Sequence, residues 1–391
     1  MAKRGVQTLK QFYNLIYKTR NIRRRILKNL LKGKGIKKKD LVFLKKALTQ
    51  LKRVEKEKGS YVFSVGKDKI YSNLEYEIEE LKRDILYLEK GEAELLKYLS
   101  KKQKGFNKEV EKVCTYLKNK NMQTFITDRD GTINNYCEHY DSSVQSVYNA
   151  FFLMMFAEVV DVAIIITSGP LRGILNVAIT PKSKIIYSGS KGREFVYKSK
   201  KFNYKLEARK NKVLQKVAKA IKNLSRQERY RKFFFKGSGF QQKLGEISIA
   251  RQDFLHSVPK KESQVFFRKI QEIVRTLDKR DYLKVYDAGL DIEVILKLSK
   301  KEFTKGDGLK FILQNSKIKP KETLVCGDTD SDLSFFKTIK KYYKKSSYIF
   351  VTKDNSLKRK IKKTLPKTIF ISSPDVLITA LYKISKLKNG I

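Results

Sequence analysis

The chain is expected to fold as an α/β protein: a doubly wound parallel-sheet core (Rossmann-like) with an inserted α+β cap, preceded by an N-terminal helical bundle or coiled-coil module. Three features point to this. Residues 1 to about 120 carry leucines at helical spacing. From Gln123 onward, short β-rich apolar runs alternate with helical stretches, the pattern of a parallel sheet covered on both faces. Residues 200–298 interrupt that alternation with a helix–strand–strand repeat.

The elements follow in chain order. Leu9, Phe12 and Ile16 open a first helix, and Leu41, Leu44, Leu48 and Leu51 mark a second. Leu74, Ile78, Leu81, Ile85 and Leu88 line a third, until Glu92 interrupts and Leu95 and Leu99 resume it. Breaks fall at Gly33-Lys34-Gly35 and Gly59-Ser60. This heptad patterning predicts a three-helix bundle or helical hairpin, with 106–119 as a lead-in helix. Such a module would serve as an oligomerisation or partner-docking surface, or would only stabilise the chain. Core strands are expected at 123–127, 162–167, 184–187, 323–326, 348–352 and 368–371. The cap reads as helix 207–224, strands 232–236 and 243–250, helix 260–277, and strands 283–287 and 291–297. The domains are then 1–120, a core of 121–199 with 299–391, and a cap of 200–298.

Bulk properties narrow the function classes. The net charge is +47 over 391 residues. The first 120 residues hold 33 lysines and arginines against 14 acidic residues, so the excess is spread along the chain rather than gathered in a tail. Such a charge favours anionic partners. The lysines are scattered, however, and no RNA-binding or helix-turn-helix signature accompanies them, so nucleic acid is not expected as the ligand. Three cysteines and two histidines lack zinc-site spacing and imply no disulfide framework, which fits a cytoplasmic protein. Met1-Ala2-Lys3-Arg4 is followed by no apolar stretch, so no signal peptide is expected. Val147 to Thr167 is mostly apolar but contains Glu158 and Asp161, and reads as a buried helix and strand rather than a membrane span.

Four segments carry chemistry: Asp128-Arg129-Asp130-Gly131-Thr132, Thr167-Ser168-Gly169, Lys305, and Gly327-Asp328-Thr329-Asp330-Ser331-Asp332. Three of them follow β-rich runs, which places them at the carboxyl ends of strands, where open α/β sheets bind ligands. Aspartate forms covalent phosphoryl adducts. A second carboxylate two residues on can protonate a leaving group and then activate water. Asp328 and Asp332 are hard oxygen ligands suited to Mg²⁺. Ser168 offers a hydroxyl to a phosphoryl oxygen, and Lys305 a fixed positive charge. The joint reading is phosphate-ester chemistry on aspartate.

These four segments, in this order, resemble the haloacid dehalogenase phosphatase superfamily. Gly189-Ser190-Lys191-Gly192-Arg193-Glu194, Gln241-Gln242-Lys243, Asp291-Ile292-Glu293-Val294 and Thr304-Lys305-Gly306 extend the resemblance to trehalose-6-phosphate phosphatases, over roughly residues 122–385. The resemblance implies Asp128 as nucleophile and Asp130 as general acid and base, with Ser168 and Lys305 on the phosphoryl group. It implies Mg²⁺ held by Asp128, Asp328, Asp332 and the carbonyl of Asp130. Gly169, Lys191, Lys243 and Glu293 become candidates for the substrate side, and a phosphorylated sugar becomes the expected partner. Several positions depart from the family: Pro170 stands for an arginine (Arg172 is near), Lys191 for a histidine, Gln241 for a glutamate, and Arg129 for an aromatic. Ala250-Arg251-Gln252 stands for histidine-tyrosine-arginine. The expected activity is hydrolysis of trehalose 6-phosphate through an aspartyl-phosphate. The alternatives are another sugar phosphate (sucrose- or mannosylglycerate-type) or a basic binding protein with a vestigial core.

Overall fold

The computed structural model describes residues 5–181, 183–297, 302–343 and 345–390; the expected cap-to-core boundary at 298–299 lies outside them. The N-terminal part consists of α1 (Leu9–Leu30), α2 (Lys38–Lys52), β1 (Lys56–Glu57), β2 (Ser60–Val65), β3 (Asp68–Ser72), α3 (Glu75–Lys102) and α4 (Phe106–Leu117). Thr8 starts α1 with a reciprocal capping box to Gln11. The wholly helical reading of this part is corrected: β1, β2 and β3 form an antiparallel sheet between α2 and α3. Lys58 and Gly59 both take positive φ, 50° and 84°, which makes the tight turn of a hairpin.

The apolar face of α3 meets several partners in turn. Leu74, Ile78 and Leu81 join one cluster with α1, α2 and residues Val144, Val147 and Ala150 of the core. Helix α3 then breaks at Gly91 (φ 80°). There Glu92 turns to the core, accepting from Tyr382 Oη at 2.9 Å and pairing with Lys386 Nζ at 2.8 Å. Beyond the break, Leu95 and Leu99 enter the main core cluster. The module is therefore seated on the core through its apolar face. A buried ion pair, Arg23 Nε to Asp84 Oδ2 at 2.5 Å, backs this seat, and Asp84 Oδ1 also accepts from the Val147 N–H at 2.6 Å.

The core begins with β4 (Thr124–Thr127), α5 (Val147–Ala157), β5 (Val162–Ile166), α6 (Leu171–Val177), β6 (Ile185–Gly189), β7 (Glu194–Tyr197) and β8 (Lys200–Asn203). The cap follows as α7 (Ala208–Asn223), α8 (Glu228–Arg231), β9 (Phe240–Lys243), β10 (Glu246–Ala250), α9 (Lys260–Leu277), β11 (Leu283–Asp287) and β12 (Asp291–Leu296). The core resumes with α10 (Lys305–Ser316), β13 (Thr323–Gly327), α11 (Leu333–Tyr342), β14 (Ser346–Val351), α12 (Asn355–Thr364), β15 (Ile369–Ile371) and α13 (Pro374–Asn389).

The core sheet runs β15-β14-β13-β4-β5-β6-β7-β8, parallel from β15 to β6 and antiparallel at β7 and β8. Strand alternation assigns its two faces. Phe125, Ala163, Ile165 and Leu324 pack with residues of α4, α5 and α13. Ile126, Ile164, Ile166 and Val325 pack with residues of α10 and α11. The sheet is thus covered on both sides, which is why its strands read as continuous apolar runs.

The cap is a four-stranded antiparallel sheet, β11-β12-β10-β9, with α7 and α9 on one face. Ile247, Ile249, Ile292 and Val294 point into that helical layer. The strand expected at Lys232 to Lys236 is corrected to a 3₁₀ turn over Lys232–Phe234. Phe233 stacks on Phe266 of α9, with ring centroids 3.9 Å apart, and this packing overrides the β preference of the aromatic run. No described helix is long and apolar enough to cross a membrane.

Candidate active site

Strand β4 lies centrally, between β13 and β5, so its carboxyl end is the switch point of the sheet. Asp128 follows β4 directly, Asp328 follows β13, and Ser168 lies just past β5. Lys305 is the first residue of α10, whose N-terminus is fixed by a capping box between Thr304 and Asp307. The chain thereby brings groups separated by up to two hundred residues to one point.

The floor is an ionic lattice. Lys305 Nζ lies 2.5 Å from Asp128 Oδ1 and 2.6 Å from Asp332 Oδ1, all three buried. Asp332 Oδ2 accepts from the N–H groups of Asp328 and Thr329 at 3.0 and 2.9 Å. Asp328 accepts from Thr132 Oγ1 at 2.9 Å and from Tyr136 Oη at 2.5 Å. Oxygens of Asp128, Asp328 and Asp332 all lie within 4.8 Å of one another. Burial pushes the Asp128 carboxyl well up, and Asp332 and Asp328 add to the push against the pull of Lys305. Burial and Asp332 likewise push Asp328 up to about 7. Burial alone would lower the Lys305 amine, but Asp128 and Asp332 hold it above its usual value.

Three close carboxylates with one lysine between them leave excess negative charge. A hard divalent cation fits this donor set. The loop is also built around it: Gly131 has φ 86°, and a Cβ there would sit 2.1 Å from Asp328 Oδ2. Asp130 is half-buried, and its carboxylate pairs with the guanidinium of buried Arg129. Arg129 also donates to Ser143 Oγ at 3.1 Å.

Above this floor lies a cavity of about 360 Å³, lined from the core by Asp128, Asp130, Tyr136, Ser168, Gly169 and Lys305. The cap contributes Gln241, Lys243, Ser248, Asp253, Asp291 and Glu293. Register explains the cap set. Ser248 faces Gln241 on one side and Glu293 on the other, so the three share one face of the sheet. Alternation sends their neighbours Ile247, Ile249, Ile292 and Val294 into the cap core.

The candidate residues divide by position. Asp128, Asp130, Ser168, Gly169, Lys305, Lys243 and Glu293 line the cavity. Asp328 and Asp332 lie beneath it. Lys191 does not line it: its amine bonds Glu246 Oε2 at 2.8 Å and stands 4.0 Å from Glu293. Arg172, the suggested stand-in for the arginine at 170, is exposed and outside the lining. Three contributors were not singled out from sequence. Glu246 is fully buried and binds both Lys191 and Lys243, each at 2.8 Å. Although burial would raise it, these lysines hold its carboxyl down to about 2. Its signal was a glutamate opening the apolar run Ile247-Ser248-Ile249-Ala250. Tyr136 and Tyr140 come from the loop after Gly131; the Tyr140 side chain presses on Gly169, where a Cβ would meet its hydroxyl oxygen at 2.5 Å.

Comparison with known proteins gives one consistent family. Residues 125–377 match "Trehalose-6-phosphate phosphatase, C-terminal", and residues 8–112 match "Trehalose-6-phosphate phosphatase N-terminal helical bundle domain". An alpha,alpha-trehalose-phosphate synthase [UDP-forming] 2 of Aphelenchoides avenae is 27% identical over 95% of this chain, which spans only 31% of that relative. A trehalose-phosphatase of Brugia malayi is 28% identical, covering 97% of this chain and 86% of its own. Among solved structures, a C. albicans trehalose-6-phosphate phosphatase C-terminal domain superposes with a TM-score of 0.50 at 14% identity. That match covers 71% of this chain and 97% of the other, a likeness of fold.

Proposed function

The chain belongs to the trehalose-6-phosphate phosphatase family, and from that premise we propose that it is a Mg²⁺-dependent phosphatase that hydrolyses trehalose 6-phosphate to trehalose and phosphate. The observation that carries the reading is Asp128, held by Lys305 at 2.5 Å, on the floor of a cavity roofed by the polar face of the cap.

In this reading an Asp128 carboxylate oxygen attacks phosphorus. The new O–P bond forms as the bond to the sugar oxygen breaks, giving an aspartyl-phosphate. Asp130 gives its proton to the departing sugar oxygen. It then takes one from a water that attacks phosphorus, and Asp128 leaves as carboxylate. Lys305 stabilises charge on Asp128 and the transferring group. Ser168 and the Gly169 N–H position phosphoryl oxygens. Asp128, Asp328, Asp332 and the Asp130 carbonyl would hold Mg²⁺, which would offset repulsion between phosphate and nucleophile. Lys243 and Glu293 meet sugar hydroxyls from the cap, and Lys191 acts on them through Glu246. The cap excludes water from the attack.

The test is phosphate release by the full chain over a panel of sugar phosphates, with Mg²⁺ and with chelator. The reading expects the highest kcat/KM on trehalose 6-phosphate and no turnover in chelator. Preference for another sugar phosphate would move the substrate and keep the chemistry. No release from any member would overturn the reading.

A further inference from the structure

The N-terminal part reaches the active site through one loop. Residues 134–144 follow the nucleophile segment and present Tyr136, Glu138, Tyr140 and Ser143 to the cavity. The N-terminal part holds that loop at several points. Tyr76 Oη donates to Asn134 Oδ1 and Val144 O at 3.1 and 3.0 Å. Ser142 Oγ donates to Glu77 Oε1 at 2.5 Å. Ser72 Oγ and His139 Nε2 share a hydrogen bond of 2.8 Å.

The two oxygens of Glu138 serve two different units. The Asn73 N–H, just past β3, donates to Oε2 at 2.6 Å. The Phe254 N–H, in the cap loop after β10, donates to Oε1 at 3.1 Å. The side chain is 1% exposed, so water does not compete for either bond. The same two units touch again where Arg231 Nε meets Asp68 Oδ2 at 2.7 Å. Asp253 and Phe254 both line the cavity, so the cap segment that Glu138 grips is part of the roof.

We propose that Glu138 is a positioning residue that latches the cap over the substrate cavity, with the β3 end of the N-terminal part as its anchor. Opening the cap breaks the Phe254 bond and leaves the Asn73 bond intact. The N-terminal part is then a fixed post for the cap rather than an appendage. The inference rests on the proposed phosphatase activity only for its readout.

The test compares two substrates in the full chain. Trehalose 6-phosphate needs cap contacts, whereas p-nitrophenyl phosphate, a small aryl ester, needs only the floor. Glu138→Gln puts an amide N–H against a backbone N–H donor and weakens the latch. We expect its KM for trehalose 6-phosphate to rise about tenfold, the worth of one hydrogen bond to a charged group. Its kcat/KM for p-nitrophenyl phosphate should fall by less than its kcat/KM for trehalose 6-phosphate. Arg231→Gln should give a smaller shift in the same direction, and carries the test should Glu138→Gln not fold. Equal losses on both substrates in both variants would mean a general structural role and overturn the latch, as would unchanged KM values. A wild-type chain inactive on trehalose 6-phosphate but active on the aryl ester would instead overturn the substrate reading; the latch would then be judged by whether Arg231→Gln raises cleavage of the cap by protease, no change refuting it.

Discussion

Removing the metal should make the stability of this protein fall as pH rises, and the size of the effect follows from Asp328. Its carboxyl titrates near 7 in the folded, metal-free chain, because burial and Asp332 oppose its charge. In the unfolded chain an aspartate titrates near ~3.9. Between those values the native state holds a proton that the unfolded state has released. Stability therefore falls with rising pH, by at most about 1.4 kcal/mol per unit, and levels off above pH 7. The full span is about 4 kcal/mol for an isolated group. Asp328 titrates together with its neighbouring carboxylates, so a contribution on the order of 2 kcal/mol is expected. A divalent cation takes the place of that proton, so its stabilising effect should grow with pH. The assay is urea unfolding at about pH 5 and about pH 8, in chelator and in saturating Mg²⁺, for wild type and Asp328→Asn. The chelated wild type should be less stable at the higher pH, and Asp328→Asn should flatten that slope. Stability that rises with pH in chelator and is untouched by Asp328→Asn would refute the reasoning. So would Mg²⁺ that stabilises more at the lower pH.

Glu246→Gln leaves Lys191 and Lys243 without their buried counter-charge; a loss of about 3 kcal/mol in urea unfolding is expected, with a KM for trehalose 6-phosphate raised about tenfold, read in steady-state kinetics. Gly131→Ala places a Cβ 2.1 Å from Asp328 Oδ2 on a backbone with φ 86°. It should lower kcat by a factor on the order of 10², while circular dichroism shows a folded chain.

The aspartates of the candidate site are legible because they are local in sequence. Asp128, Asp130, Asp328 and Asp332 sit in two short strings after apolar runs, and only the sheet was needed to join them. The substrate side was less legible because it depends on register. Ser248 faces Glu293 across β10 and β12, and nothing in either strand announces that pairing. Glu246 is not legible in the sequence because it acts on other residues and not on the cavity. The hairpin at 198–199 escaped because Lys198 and Ser199 take positive φ, 47° and 61°, without the asparagine or glycine that usually marks such a turn. The sheet at 56–72 was masked by strong helical periodicity on either side, although Lys58-Gly59 and the β-rich run Tyr61 to Val65 were its signals. The latch at Glu138 joins positions 73, 138 and 254, a contact that no spacing rule reaches.

Asp128 is proposed as the nucleophile. The most direct measurement is acid quench of the enzyme during turnover of trehalose 6-phosphate, followed by mass analysis of its peptides. A phosphoryl group is expected on the peptide carrying Asp128, lost on treatment with hydroxylamine and absent in Asp128→Asn. A phosphorylated residue elsewhere, or continued turnover by Asp128→Asn, would contradict it.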